Sequence, residues 1–291
     1  MKKNKHIFNF VAEIGCNHQG DLKFAFKMID KLVNFCGVKF VKFQKRNPIE
    51  LLGKEKYNKP HPVPENSFGK TYGLHREKLE FNISQHKKIK RYCKSKNIEY
   101  MCSAWDVTSL KQLISLRMNH IKIPSACNNN SELLSYLFKH FKGYCHISLG
   151  MTTLKEEKKI YDLAKKYNKL KKLILYACTS DYPVKHEDVC LLEISRLKKT
   201  YSKKINAVAF SGHHQGISSD IAAATLGATW IERHFTLDRT LKGTDHAASL
   251  EPDGARRVAR DLELLDQSLR YKRKQILNCE ISQRIKLKYE A

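Results

Sequence analysis

Lysine and serine side chains stand at the ends of several apolar segments, where they could bind an anion. Lys42 and Lys122 each close an apolar run, a place where a lysine of a solvated surface is not expected. Because an unpaired ammonium group is costly to bury, each should face a carboxylate or a bound anion, unless it extends past the segment end to solvent. Serines take similar positions at Ser103, Ser125, Ser148, Ser180 and Ser211. Together these residues predict a site for a ligand that carries phosphate and carboxylate groups.

Two histidines suggest a second kind of chemistry. His213 and His234 end neighbouring apolar segments, and neutral imidazoles brought together in this way commonly bind a divalent transition metal. Two protein ligands would leave coordination positions for water and substrate. A single histidine is more often an ordinary hydrogen-bonded residue, so the prediction depends on the pair. His214, adjacent in sequence, is a competing ligand.

Three cysteines lie at or near the same segment ends, namely Cys102, Cys127 and Cys178. A cysteine in such a place could act as a nucleophile. Small buried cysteines are common in folds of this kind for packing reasons alone, so we do not expect any of them to be catalytic.

The elements that must position these residues alternate between short apolar runs and longer amphipathic runs, which indicates repeated βα units around a parallel sheet. The candidate strands are Ile7–Gly15, Phe40–Lys45, Ile98–Trp105, His120–Ser125, Tyr144–Gly150, Leu173–Ser180, Ala207–His213 and Thr229–Leu237. Helices are predicted at Leu22–Phe35 and at Ser84–Lys96, the latter with Ser84 as its N-cap. The pattern predicts an α/β fold, a (β/α)8 TIM barrel over residues 1–270, whose C-terminal strand ends bring the polar residues into one pocket.

The connection after the second predicted strand is longer than the others. It runs from Arg46 to Asn82 and contains the polar, Pro- and Gly-containing stretch NKPHPVPENSFGKTYG. Such a length exceeds that of an ordinary connector, so we predict a functional loop or lid.

Composition limits the class of protein and its partners. The chain of 291 residues has a formal net charge of +25, which suits either nucleic acid or small anionic substrates. We consider nucleic acid unlikely, because the lysine-rich segment 155–172 holds only Tyr161 and Tyr167 as aromatics, at helical spacing. Nine scattered cysteines without a C-x-x-C pair indicate reduced thiols. With no convincing signal peptide and no long apolar stretch, a cytoplasmic protein without a membrane partner is predicted.

Eight ordered motifs resemble those of the sialic acid synthase family, the N-acetylneuraminate synthases. They are AEIGCNHQGDL (12–22), VKFQK (41–45), SFGKTYGLHREKLEF (67–81), KIPSACNNN (122–130), ISLGM (147–151), CTSDYP (178–183), FSGHHQGI (210–217) and ERHFTLDRTLKGTDHAASLEP (232–252). The resemblance extends over nearly the whole chain, and the SFGKTYG and SGHH segments look nearest to the animal-type branch and its bacterial relatives.

The resemblance implies condensation of phosphoenolpyruvate with N-acetylmannosamine or a related N-acylated amino sugar, giving a sialic acid and phosphate by C–O cleavage. It places phosphoenolpyruvate on Lys42, Lys122 and Ser125, with Ser103, Ser148, Ser180 and Ser211 completing the anion site. It places a divalent metal, manganese in the first instance and otherwise magnesium or cobalt, on His213 and His234. It places the sugar on Gln44, Tyr182 and Asp245. Glu13 is the leading acid/base candidate, although it could simply pair with a pocket lysine.

Two departures from the family pattern bear on activity. The family usually continues into an antifreeze-like domain that offers an arginine to the sugar, and in the predicted linker-like tail, residues 271–291, the segment NCEISQRIKLKYEA (278–291) resembles the linker before it. We therefore expect weak sugar binding unless another polypeptide supplies that lid, and a weakened case for a homodimer. Cys127 stands where the family typically has Asp or Glu. The alternatives are N-acetylmannosamine 6-phosphate as substrate, or a catalytically impaired homologue with a binding role.

Overall fold

The computed structural model describes residues 7–289, which form a closed barrel of parallel strands surrounded by helices. The strands follow one another around the barrel in chain order, and the last pairs with the first. They are β1 (Asn9–Gly15), β2 (Phe40–Lys45), β3 (Glu99–Ala104), β4 (His120–Ile123), β5 (Tyr144–Ser148), β6 (Leu173–Cys178), β7 (Ala207–Gly212) and β8 (Trp230–His234). The predicted (β/α)8 TIM barrel is confirmed.

Helices cover the outside of the barrel and fill the long connection after β2. They are α1 (Leu22–Asn34), α2 (Pro48–Asn58), α3 (Tyr72–Leu79), α4 (Ile83–Ser95), α5 (Val107–Ser115), α6 (Ser131–His140), α7 (Leu154–Lys166), α8 (Leu192–Tyr201), α9 (Ser218–Leu226), α10 (Pro252–Ser268) and α11 (Ile281–Leu287). Among residues 7–289, no helix is long and apolar enough to cross a membrane.

Alternation along each strand divides the core in two. Because successive strand residues point to opposite faces, one set packs against the helices in a large apolar cluster that includes Val41, Phe43 and Ile121. The other set points into the barrel, where a smaller interior cluster is formed by Val11, Met101, Ile174, Tyr176, Ala209 and Trp230. Beyond that cluster, toward the C-terminal strand ends, the inward positions are polar. This polar level carries the candidate site.

The predicted strand bounds hold best at the N-terminal ends. β2 has the predicted bounds, whereas several other strands end two or more residues earlier than predicted, since the apolar pattern continues into loops that leave the ladder. Ser125 is a case in point: it begins a short 3-10 helix, Ser125–Cys127, instead of ending β4. Pro124 precedes it and cannot donate a ladder hydrogen bond.

One predicted helix start is wrong. α4 begins at Ile83 with Asn82 as its N-cap, and not at Ser84. The Asn82 side chain accepts from Gln85 N at 2.9 Å, and Gln85 Oε1 accepts from Asn82 N at 2.9 Å. This reciprocal capping box satisfies two backbone donors at once, which a cap at Ser84 would not do.

The connection from Arg46 to Asn82 is more ordered than the predicted loop. It contains α2, capped by Asn47 with Pro48 in its first turn, and α3, capped by Thr71. The two helices pack closely at Gly73, where a Cβ atom would lie 2.2 Å from the ring of Tyr57. Its interpretation as a lid stays a prediction.

Residues beyond α10 are largely exposed, α11 included. The proposed division into a barrel domain (1–270) and a tail (271–291) stays a prediction, and its residues 1–6 and 290–291 lie outside the described part of the chain.

Candidate functional site

Lys42 occupies an inward position of β2 and is almost completely buried. Its ammonium forms an ion pair with Glu13 of β1, lies 2.8 Å from Ser103 Oγ of β3, and is 3.5 Å from Glu232 Oε1 of β8. Gln44, two residues along β2, donates from Nε2 to Glu13 Oε1 at 2.8 Å. Lys42, Gln44, Glu13 and Ser103 therefore form one connected group.

Lys122 enters the same group from β4, across the barrel. Its ammonium lies 2.7 Å from Glu232 Oε1 and 3.4 Å from Ser211 Oγ of β7, and Ser211 Oγ is itself 3.2 Å from that oxygen. The ring of Tyr176 lies beneath it, with 4.2 Å between Nζ and the ring centroid. Glu232 thus joins the two predicted lysines.

Burial and mutual charge set the ionisation of this group. Burial would raise the pKa of Glu232, but Lys122 and Lys42 outweigh it and lower that pKa to about 2. The pKa of Glu13 is raised, first by burial and then by Glu232, against the opposing effect of Lys42. Burial lowers the pKa of Lys122. The negative charge of Glu232 acts to raise that pKa, and the positive charge of Lys42 lowers it further. Glu232 is therefore a permanent counterion, and Glu13 is the carboxylate better able to carry a proton.

Serines from the β4, β5 and β6 ends meet around Gly150. Ser125 Oγ accepts from Gly150 N at 3.0 Å, and a Cβ on Gly150 would come within 2.8 Å of Ser125 Oγ and 2.2 Å of Ser180 Oγ. Only glycine leaves room for both hydroxyls. Ser148 is buried at the end of β5, where its carbonyl accepts from Asn128 Nδ2 at 2.7 Å. The hydroxyls predicted for anion binding thus form a second edge of the site.

His213 and His234 lie side by side, with 5.6 Å between ring centroids. His213 Nδ1 lies 3.0 Å from the carbonyl oxygen of Thr179, and the ring also hydrogen-bonds the thiol of Cys178. His234 Nδ1 is buried without a hydrogen-bond partner among the described residues, and Asp245 Oδ2 is 3.8 Å away. Tyr182 covers the pair, 4.2 Å from His213 between ring centroids. The two imidazoles could serve as two ligands of a divalent transition metal, but residues 7–289 hold no group of three or more His, Cys, Asp or Glu side chains placed for one ion.

His214 is not part of this pair. Its Nε2 lies 2.9 Å from Arg233 Nη1, and its ring is 5.9 Å from that of Phe210, an outward residue of β7. The adjacent residues His213 and His214 point to opposite sides because the chain is extended there. His214, which the sequence left open as a competing metal ligand, therefore lies outside the site.

The three candidate cysteines differ in ionisation. Burial raises the pKa of Cys102, and it raises that of Cys127 to about 12. Burial would also raise the pKa of Cys178, but hydrogen bonding to His213 lowers it to about 7. Cys178 is thus a neighbour of the histidine pair, while the thiols of Cys102 and Cys127 are held neutral by burial.

Gly15 is where the lysine group and the histidine group meet. It has φ +57°, and a Cβ there would lie 3.2 Å from Gln44 Nε2, 3.3 Å from Glu13 Oε1 and 3.4 Å from His234 Cε1. These three side chains come from β1, β2 and β8. The lysine group and the histidine pair therefore lie next to each other at the C-terminal ends of the strands.

Comparison with known proteins identifies the family. Residues 28–274 match the NeuB family. The chain belongs to the NeuB family. The predicted membership of the sialic acid synthase family is thereby confirmed.

Several curated relatives are named as synthases of sialic acid phosphate or of legionaminic acid. N-acetylneuraminate-9-phosphate synthase of Homo sapiens is 36% identical over 278 residues, covering 96% of this chain and 76% of the relative. N,N'-diacetyllegionaminic acid synthase of Campylobacter jejuni is 32% identical over 260 residues, covering 89% and 76%. The solved N-acetylneuraminic acid synthetase of Leptospira borgpetersenii superposes with a TM-score of 0.81 at 27% identity, covering 97% of this chain and 93% of that one.

The sequence places Glu232 at the end of the eighth predicted strand without giving it a role, and it gives no role to Arg46. Two buried lysines require nearby negative charge, which was the signal for a second carboxylate besides Glu13. Arg46 continues the alternate row of Lys42 and Gln44 on β2, but it lies just past the strand, at the start of the segment predicted as a functional loop or lid.

Proposed function

We propose that this protein condenses phosphoenolpyruvate with an N-acylated amino sugar, N-acetylmannosamine or a close relative, to give a sialic (nonulosonic) acid and phosphate. The observation that carries the proposal is that the group containing Lys42 and Lys122 lies next to the histidine pair, the two meeting at Gly15. The two lysines suit the carboxylate and phosphate of phosphoenolpyruvate, and the two histidines suit a metal beside a sugar aldehyde. The names of the NeuB relatives support this pairing of substrates.

Lys42 and Lys122 would bind the two anionic groups of phosphoenolpyruvate, with Ser125 and Ser180 at its other edge. The remaining serines, Ser103, Ser148 and Ser211, would complete the anion site. Glu13 and Glu232 keep both ammonium groups charged and in place before the substrate arrives. Preorganised charges of this kind need little rearrangement when the ligand enters.

His213 and His234 would hold a divalent metal, manganese in the first instance and magnesium or cobalt as alternatives. Such an ion supplies Lewis acidity toward a sugar carbonyl oxygen. Gln44, Tyr182 and Asp245 surround the pair and would orient the sugar. Tyr182 covers the imidazoles and Gln44 is held by Glu13, so the aldehyde end would face the phosphoenolpyruvate site.

The proposed reaction forms one C–C bond and breaks one C–O bond. C3 of phosphoenolpyruvate forms a bond to the aldehyde carbon, and water adds at C2. Cleavage of the bond between C2 and the bridging oxygen then releases inorganic phosphate. The attacking water supplies two protons: Glu13 would pass the first to the alkoxide left by the aldehyde oxygen, and the second would leave the C2 hydroxyl, as it becomes the ketone, on the departing phosphate. The raised pKa of Glu13 suits such a transfer.

Several features of the assembly are proposed with this function. The connection formed by α2 and α3 would act as a lid over the β2 end of the site. The barrel (1–270) would be the synthase domain, with 271–291 as a linker-like tail and a homodimer as the assembly. Free thiols throughout fit a cytoplasmic location.

A second candidate substrate is the 6-phosphate of the same sugar, and Arg46 favours it. Its guanidinium is almost fully buried and lies 4.3 Å from the ring centroid of Trp105. Nη1 approaches the thiol of Cys16 at 3.3 Å and Glu80 Oε1 at 3.6 Å, while Nε has no hydrogen-bond partner among the described residues. Since the aldehyde must lie near Lys42 and Gln44, the far end of the sugar points toward Arg46, the next residue on the same side of the chain. A phosphate there would satisfy the guanidinium.

The test is phosphate release from phosphoenolpyruvate with each sugar, its 6-phosphate and a diacetamido deoxy sugar, in the presence of manganese, magnesium or cobalt. We expect release only when a metal, phosphoenolpyruvate and one of the sugars are all present, with a nonulosonic acid as the carbon product. Binding of both substrates without product would instead identify an impaired homologue.

A further inference from the structure

A continuous line of polar side chains crosses the barrel interior below the candidate site. His120 Nδ1 of β4 lies 2.9 Å from His146 Nε2 of β5, and His146 Nδ1 lies 2.8 Å from the hydroxyl of Tyr176 on β6. All three residues are buried. Burial lowers the pKa of His120 to about 4 and that of His146 further, so both rings are neutral at ordinary pH.

The surroundings of this line are apolar. Tyr176 belongs to the interior cluster, and Trp230 packs against both histidines with ring centroids 5.2 Å and 5.0 Å away. Aliphatic residues could fill this level of a barrel without any polar group to satisfy. A buried polar network has to be fully paired to be tolerated, and it then fixes the orientation of its members.

The line of His120, His146 and Tyr176 ends beneath Lys122, a residue of the site. The ring face of Tyr176 lies 4.2 Å from the ammonium of Lys122, whereas its hydroxyl is directed to His146. The contact with Lys122 is therefore through the π face, and among residues 7–289 no chain of hydrogen bonds leads from His146 to the ammonium. This arrangement suits holding a cation in position and does not suit proton transfer to it.

We propose that Tyr176 is a positioning residue for Lys122, and that His146 and His120 act through it by fixing its ring. The proposal rests on the proposed function, in which Lys122 binds phosphoenolpyruvate. The other partners of Lys122, Glu232 and Ser211, lie beside the ammonium at 2.7 Å and 3.4 Å, and both are themselves polar groups of the anion site. The Tyr176 face supports the ammonium from the apolar side. It stabilises the cation without competing for the ligand.

The experiment replaces Tyr176 by Leu and by Phe. In Tyr176→Leu the π face is lost, and we expect the KM for phosphoenolpyruvate to rise about tenfold while the KM for the sugar changes less than about twofold. In Tyr176→Phe the face remains but the anchor to His146 is lost, and a rise of only about threefold is expected. His146→Leu should match Tyr176→Phe. If Tyr176→Leu does not fold, Tyr176→Met, which fills similar space without a π face, replaces it.

Tyr100→Leu is the matched control. Tyr100 is also a buried strand tyrosine hydrogen-bonded to a histidine, His86, at 2.6 Å, but it packs in the outer cluster away from the lysines. Its loss should lower stability comparably and leave both KM values unchanged. Equal KM values for phosphoenolpyruvate in Tyr176→Leu and Tyr176→Phe would overturn the proposal, as would equal changes for both substrates.

Binding of phosphoenolpyruvate alone, by calorimetry, separates this proposal from the proposed function. If the unmodified protein binds phosphoenolpyruvate but forms no product, the proposed function fails, and the dissociation constants of the same variants still test Tyr176. We expect the same tenfold and threefold ratios there, and equal dissociation constants would overturn the positioning role.

Discussion

The Oε1 oxygen of Glu232 lies 2.7 Å from the ammonium nitrogen of Lys122, and both groups are buried. The two residues are 110 positions apart in sequence and come from opposite parts of the barrel. Since Lys42 approaches the same oxygen, one carboxylate is the common counterion of the proposed anion site.

Replacing that carboxylate should couple stability to ligand binding. Glu232→Gln leaves two buried ammonium groups with too little negative charge, so we expect the free energy of unfolding to fall by about 3 kcal/mol. Phosphoenolpyruvate supplies the missing charge and should restore part of the loss. Urea unfolding with and without phosphoenolpyruvate measures both effects. Glu157→Gln, which breaks a partly buried pair with Arg196 on the outer helices, is the control and should lose stability without any added response to the ligand.

The histidine pair should be specific in its effect on metal. His234→Ala removes one proposed ligand, and we expect metal-dependent phosphate release to fall by at least about a hundredfold together with loss of bound manganese. Metal content after dialysis is measured alongside the rate. His214→Gln should retain the metal, because His214 contacts Arg233 instead. Metal retention in His234→Ala would contradict the assignment.

Arg46 should discriminate between the two candidate sugars. If a sugar phosphate pairs with its guanidinium, Arg46→Gln lowers kcat/KM for the 6-phosphate by about thirtyfold and that for the unphosphorylated sugar by less than about threefold. Parallel initial-rate measurements on both sugars give the ratio. Arg196→Gln, whose guanidinium pairs with Glu157 and Glu193 on the outer surface, should not change it. An unaltered ratio in Arg46→Gln would remove the case for the phosphorylated substrate.

Cys127 should influence the choice of sugar. Its side chain is buried and its pKa is raised by burial to about 12, so it offers no negative charge. Cys127→Glu restores the acid typical of the family, and Arg46 is close enough to oppose that rise in pKa and could pair with the new carboxylate. We expect a change of at least about fivefold in turnover or in relative kcat/KM among the sugars. Unchanged values for all of them would show that position 127 has no such role.

Acid should weaken the folded protein through its buried histidines. Burial, followed by the charge of Lys45, lowers the pKa of His86 to about 3, below its ordinary value of 6.5. The unfolded chain therefore binds more protons below that value, and stability falls as the pH decreases from about 6.5. Between pH 7.5 and pH 5 this one residue contributes a loss of about 2 kcal/mol. Urea unfolding measures the free energy of unfolding at both pH values. The decrease from pH 7.5 to pH 5 should be correspondingly smaller in His86→Asn than in the unmodified protein. The same pH dependence in both proteins would contradict the prediction.

Several features were predictable because they depend on local pattern. The apolar runs gave the barrel and the bounds of β2, and motif order gave the family. The start of α4 was missed although it is also local, since Asn82 and Gln85 have the spacing of a capping box whereas Ser84 is followed three residues later by Lys87. The helices between β2 and α4 were missed because Pro and Gly there suggested a loop, whereas Pro48 occupies the first turn of a helix that tolerates it.

The sequence by itself determined the fold class, the family and the residue types at the strand ends, because alternation and motif spacing are local properties of a chain. Only the tertiary structure decided that Glu232 serves both lysines, that His213 and not His214 faces His234, and that Tyr176 lies beneath Lys122. Closure of the barrel brings β1, β2, β4, β6 and β8 around one axis, and the alternation of each strand selects which of two adjacent side chains points toward it. Such contacts depend on register across strands that are distant in sequence, and no local pattern encodes it.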